Sequence, residues 1–192
     1  MSRLDLVVGP NGAGKSTFIR LILVPAWPAA AVVNADEIAR QRWPGAPAVH
    51  SYEAAAIAAA TRSRLIELRR PLVAETVFSH PSKLDLMDEA RRGGYYVALH
   101  VIMVPEDLAV ARVAYRHATG GHDVPEEKIR GRYQRLWELV AVAVGRADAA
   151  TFWDNAGIDG PLPVAAFIGG LSVKSPTWPS WAPTALTWRW PG

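Results

Sequence analysis

The chain has 192 residues, half of them hydrophobic and a fifth charged, the profile of one ordinary globular domain. Its formal charge of +3 comes without a block of like charges, which argues against a nucleic-acid arm and suits a phosphate-bearing ligand. With no cysteine, disulfides, thiolate metal sites and thiol nucleophiles are excluded. No apolar run approaches the ~18 residues of a membrane span, and no apolar leader precedes the first glycine-rich loop, so the expected location is the cytoplasm.

The apolar run 4–9 ends in glycine and predicts a buried strand. A helix from Lys15 to about Leu23 follows, with Pro25 and Pro28 as its stop. Residues 30–36 predict a second strand, 37–42 and 52–70 helices, and 71–77 a third strand. The segment 82–92 predicts a helix closed by Gly93 and Gly94, and 95–104 a fourth strand. Helices at 106–118 and from 126 to about 146 flank the loop 119–125, and 149–155 predicts a fifth strand. Strands alternating with helices imply an α/β fold: a five-stranded parallel sheet with helices on both faces. The segment 161–173 has the makings of a hairpin. Beyond it, Pro176, Pro179, Pro183 and Pro191 alternate with tryptophans, so 175–192 reads as an extended arm packed on a domain formed by 1–174. A partner-binding surface is the other reading of that arm.

The stretch "VVGPNGAGKST" carries the strongest chemical signal. Gly9, Gly14, Lys15 and Ser16 satisfy the G-x-x-x-x-G-K-[ST] phosphate-loop pattern (Walker A), at the junction of a strand and a helix. Small residues are needed because the backbone must wrap a phosphate and aim its N–H groups inward. The loop Gly9, Pro10, Asn11, Gly12, Ala13, Gly14, Lys15, Ser16 and Thr17 is therefore the expected ATP site. Lys15 reaches the β- and γ-phosphates and the Ser16 hydroxyl binds Mg²⁺.

The same loop spelling occurs in transporter ATPases, but no L-S-G-G-Q signature and no strand ending in Asp-Glu accompany it; the guanine motif N-K-x-D is also absent. A small phosphotransferase fits better. Three strands deliver polar residues at their carboxyl ends: Asn34 with Asp36, Glu75 with Thr76, and Asp154 with Asn155. Asp36 is the expected base or orienter of an acceptor hydroxyl, or else a helix cap. Glu75 is expected to hold an Mg²⁺ water or bond the acceptor, or else to be a satisfied acid at a helix start. Arg112 and Arg116, four apart on one helix, with Arg130 and Arg132 beyond the Gly-Gly loop, suggest a cationic lid; pairing with Glu126, Glu127 and Glu138 is the alternative. His122, in that loop, reads as an exposed side chain.

Together "GPNGAGKST", "NADEIA", "VAETVFS", "GGHDVPEEKIRGRY" and "FWDN" resemble zeta-toxin-like phosphate-loop kinases over residues 4–157. The nearest likeness is to a short bacterial branch that often carries the label of a predicted ABC-type ATPase. The resemblance implies a nucleoside-kinase-like domain that transfers the γ-phosphate of ATP to a hydroxyl of UDP-N-acetylglucosamine. It implies ATP-Mg²⁺ on Lys15 and Ser16, Asp36 as base, and Arg116 as γ-phosphate arginine. From the residues themselves Arg112 and Arg132 are expected as further nucleotide contacts and Asn34 as a substrate contact; the resemblance puts Glu75 and Thr76 on the substrate side. It also implies an antitoxin protein as candidate partner. The rival expectation is a nucleotide-dependent binding module or ATPase whose main role is protein association.

Overall fold

A computed structural model describes residues 2–118 and 124–192. The strands β1 (Arg3–Val8), β2 (Ala31–Val33), β3 (Leu72–Thr76), β4 (Tyr96–Met103) and β5 (Ala149–Asp154) are parallel, in the order β2-β3-β1-β4-β5. The sheet is larger than the five parallel strands expected. Antiparallel β6 (Leu162–Ile168) and β7 (Leu171–Ser172) extend it beyond β5 into a seven-stranded mixed sheet. The cause is local. Without β6, β5 would leave an open edge, which invites pairing with other chains. Gly169 and Gly170, with φ of 55° and 81°, give the two left-handed residues that a tight hairpin needs.

The helices are α1 (Lys15–Phe18), α2 (Val24–Ala26), α3 (Ala35–Arg42), α4 (Ser51–Glu67), α5 (Ser82–Arg92), α6 (Glu106–Ala118), α7 (Glu126–Val144) and α8 (Thr184–Thr187). A π turn, Ile19–Leu23, joins α1 to α2, so the helix runs past the proline expected to stop it. Pro25 lies in the first turn of α2, where a missing N–H is tolerated.

The central strands are apolar throughout because both of their faces are covered. On one face Leu4, Leu6, Leu72 and Leu99 meet Met87 of α5 and Leu136, Trp137 and Val140 of α7. On the other, Val7, Val73 and Ile102 pack under Phe18, Ile19, Leu23 and Ala109. Residues 175–192 add aromatic surface to the first face. Trp178 stands edge-on to Phe152 at 5.2 Å, and Trp190 lies 4.6 Å from Phe167. The Trp178 indole N–H donates to the Trp190 carbonyl at 2.7 Å, and Leu186 of α8 is fully buried.

One charge lies where the apolar strand pattern leaves no room for it. Asp5, in the middle of β1, is 1% exposed. It accepts from Arg3 at 2.8 Å through both carboxylate oxygens and lies 2.9 Å from His100 Nε2 on β4. Arg3 in turn sits 4.6 Å from the centre of the Trp27 ring, beyond the end of α2. Burial pushes the Asp5 carboxyl up, but the bonds from His100 and Arg3 outweigh it and hold it below its ordinary value.

The stability carried by such a lowered carboxylate is fully present above its unfolded value and is lost as pH falls through the folded one. Asp5→Asn is therefore expected to destabilise the protein by about 3 kcal/mol at pH 7. The gap to wild type should narrow as pH falls below the ordinary carboxylate range, as read by urea denaturation across that range.

Candidate active site

The loop between β1 and α1 is shaped by contacts that only glycine permits. A Cβ on Gly12 would lie 2.6 Å from the Ala109 carbonyl oxygen of α6, and φ there is +77°. Gly14, with φ 89°, caps α1 in the left-handed region and turns the chain so that the helix N-terminus faces the loop. Lys15 is 7% exposed, and its Nζ donates to the carbonyls of Gly9 (3.0 Å) and Pro10 (2.9 Å). Burial pulls the Lys15 pKa below its ordinary value; Glu75 and Asp36 oppose this, and Arg116 and Arg132 add to it. The lysine thus feels two acids and two arginines that come from four different elements.

Strand pairing builds the next layer. β3 lies beside β1 with Val7 opposite Glu75 and Val8 opposite Thr76, which delivers Glu75 to the start of α1. Its carboxylate accepts from the Ser16 hydroxyl at 2.9 and 3.1 Å and from Asn34 Nδ2 at 2.6 Å. Asn34 ends β2 and caps α3: its Oδ1 accepts from the backbone N–H of Asp36 (2.8 Å) and of Glu37 (3.3 Å). The cap of this helix is therefore Asn34, and Asp36 stands exposed in the first turn of α3.

A cavity of about 770 Å³ opens over these groups. Asn11, Gly12, Gly14, Lys15, Ser16, Thr17, Asn34, Asp36, Glu75, Thr76, Arg112, Arg116 and Arg132 all line it. Gly9 and Pro10 act through their carbonyls, and Ala13 is buried beneath the loop. Arg112 is braced by donating to the Asn155 carbonyl at 3.0 Å. Arg130 is drawn away to Glu106, Asp107 and Glu126, close to the acid-pairing alternative. Residues 119–123 of the arginine-flanked loop, including His122, lie outside the described residues.

The cavity also has walls that the motifs did not point to. Arg40, Lys83 and Lys128 bring further positive charge, and Tyr52, 89% exposed, borders it from the first turn of α4. Phe78 lines it with a buried side chain and φ of +64°, a strained geometry for a non-glycine residue beside a site. Asn155, singled out in the sequence only as a polar strand end, clamps the loop by donating to the Ala13 carbonyl at 2.7 Å. Only its place after a strand could have signalled that role.

Comparison with known proteins settles the lineage. The zeta toxin family profile matches residues 3–156. The chain belongs to the zeta toxin family. No curated protein matches it. Among solved structures, the complex of AvrRxo1-ORF1 with -ORF2 and ATP aligns with a TM-score of 0.71 at 17% identity, over 90% of this chain and 60% of that one. The PezAT toxin–antitoxin system of Streptococcus pneumoniae aligns at 0.62 and 14% identity, over 80% of this chain and 67% of that one. The Pnkp1/Rnl/Hen1 RNA repair complex aligns at 0.61 and 19% identity, over 84% and 48%. At these identities the likeness establishes a shared α/β phosphate-loop kinase-like fold. This family member spans 60% of the chain it matches in the AvrRxo1-ORF1:-ORF2 complex.

The residues present fit a nucleotide polyphosphate with Mg²⁺. Seven cations (Lys15, Arg40, Lys83, Arg112, Arg116, Lys128 and Arg132) and two carboxylates line the cavity. Ser16 and Glu75 set two hard oxygen donors side by side, and among the described residues no cluster of three His, Asp or Glu side chains forms a dedicated metal cage. Few protein ligands suit Mg²⁺, which takes its remaining oxygens from phosphate and water. The clamp is testable. Asn155→Ala removes one hydrogen bond to the loop, so ATP affinity should fall by about fivefold with little change in melting temperature, measured by calorimetry on both.

Proposed function

We propose that the chain is an ATP- and Mg²⁺-dependent phosphotransferase that moves the γ-phosphate of ATP to a hydroxyl of a small acceptor. A nucleotide sugar such as UDP-N-acetylglucosamine is the first candidate. One observation carries this reading: the phosphate loop and the exposed Asp36 line the same cavity and are joined through Glu75 and Asn34. A passive binding module has no need of a carboxylate held in that relation to the loop.

In the proposed reaction, Lys15 exchanges its two loop carbonyls for β- and γ-phosphate oxygens, beside the N–H groups at the start of α1. Ser16 and Glu75 would hold Mg²⁺, which neutralises charge on the phosphates when bound. Asp36 accepts the acceptor's hydroxyl proton as that oxygen attacks the γ-phosphorus, and the bond to the β–γ bridging oxygen breaks to release ADP. Arg116 and Arg132, already felt electrostatically at Lys15, offset the charge that spreads over the transferring group. Arg112, fixed on Asn155, orients the nucleotide. Thr76 sits on the acceptor side, with its hydroxyl accepting from the Phe78 N–H at 3.3 Å.

Residues 1–174 form the kinase domain in this account and 175–192 an arm held on it. Membership of a toxin family supports a protein antitoxin as partner, and a cytoplasmic location follows from the need for ATP. Among the described residues no helix is long and apolar enough to cross a membrane.

Transfer of labelled γ-phosphate to a panel of nucleotide sugars and small alcohols tests the reading. Asp36→Asn should lower transfer by about 10²- to 10⁴-fold while ATP affinity stays within about twofold, since Asn34 rather than Asp36 caps α3. Undiminished transfer in that variant would remove Asp36 from the mechanism.

A further inference from the structure

A second cavity, of about 220 Å³, lies between α4 and α5. Glu75, Thr76 and Lys83 border both it and the larger cavity, so the two adjoin at the end of β3. Arg62 of α4 and Lys83 of α5 both line the small cavity. Both side chains are partly buried, yet among the described residues neither makes a hydrogen bond or ion pair. Partial burial strips a cation of hydration that an anionic partner would replace.

The acids nearby do not neutralise them. Glu75 is engaged by Ser16 and Asn34, and Asp85 is exposed. Glu89 attracts Arg62 from beyond ion-pair distance. Burial holds both cations below their ordinary pKa values, and Arg62 lowers Lys83 further. Two like charges brought together in this way are relieved by an anion between them, and a guanidinium fork beside an ammonium suits the oxygens of a phosphate or carboxylate.

We propose that this small cavity is an oxyanion subsite, in which Arg62 and Lys83 grip a phosphate or carboxylate group carried by the acceptor while its hydroxyl faces Asp36. The acceptor half of this statement rests on the kinase reading above; the anion site itself does not. It makes the acceptor class an acidic one, with the anionic group and the reacting hydroxyl on opposite sides of Glu75. Neutral alcohols are then poor acceptors.

The test separates the two claims. The phosphate loop is first saturated with Mg²⁺ and a non-hydrolysable ATP analogue. Inorganic phosphate and acetate are then titrated by calorimetry into wild type, Arg62→Gln/Lys83→Gln, and Lys83→Arg. The expected result, at saturating analogue for each protein, is one saturable anion site in wild type, kept by Lys83→Arg and weakened at least tenfold in the double variant. Tighter phosphate binding marks a phosphorylated acceptor, and tighter acetate binding a carboxylated one. Absence of a saturable site, or equal binding in the double variant, overturns the proposal. The same titrations with no nucleotide present, on Lys15→Ala and on Lys15→Ala/Arg62→Gln, probe the subsite independently of the kinase reading: a saturable anion site that Arg62→Gln weakens supports it, and none, or one that Arg62→Gln leaves unchanged, overturns it. Failure of the analogue to bind wild type would instead count against the kinase reading alone.

Discussion

The site depends on one carboxylate shared between two donors. Glu75 accepts from Ser16, which opens the first helix after the phosphate loop, and from Asn34, which caps the helix carrying Asp36. This is possible because β3 lies directly beside β1, so its last residues arrive level with the start of the loop. Ligands bind where strands of an open α/β sheet end and the connections diverge. Here the chain leaves β1 to one side for β2 and β3, and to the other for β4 and β5. A phosphate loop and an acid two strands away are thereby held in one network rather than by separate loops.

The loop itself is kept rigid from the opposite side. Gly12 lies against the Ala109 carbonyl of α6, and Asn155 at the end of β5 bonds the Ala13 carbonyl. The same Asn155 offers its own carbonyl to Arg112. In the proposed reaction β1 and β5 shape the phosphate side and β2 the acceptor side, with Glu75 of β3 between the two. The uneven charge of the cavity, with its many cations and two carboxylates, matches a reaction in which negative charge is gathered and redistributed rather than created.

Much of this was legible in the residues. The loop pattern, the five parallel strands and the polar strand ends at Asn34, Glu75 and Asn155 all follow from local order along the chain. What was not legible depends on contacts distant in sequence. Asp5 looks like a misfit in an apolar strand until His100, 95 residues away, and Arg3 surround it. The cap on α3 fell to Asn34 because β2 is only three residues long and turns into the helix earlier than its apolar pattern suggests. Arg62 and Lys83 carry no motif, and only the packing of α4 and α5 brings them to one cavity. The glycine pair at 169–170 did signal a hairpin, but its place beside β5 is a property of the sheet edge.

The central claim is that Ser16 and Glu75 together form the metal side of the nucleotide site. The Mg²⁺ dependence of ATP-analogue affinity, measured by calorimetry on wild type and Glu75→Gln, tests it most directly. The account predicts that Mg²⁺ tightens binding to wild type by at least tenfold and leaves Glu75→Gln nearly unchanged, while affinity without the metal is similar in the two. Equal tightening in both proteins would contradict it.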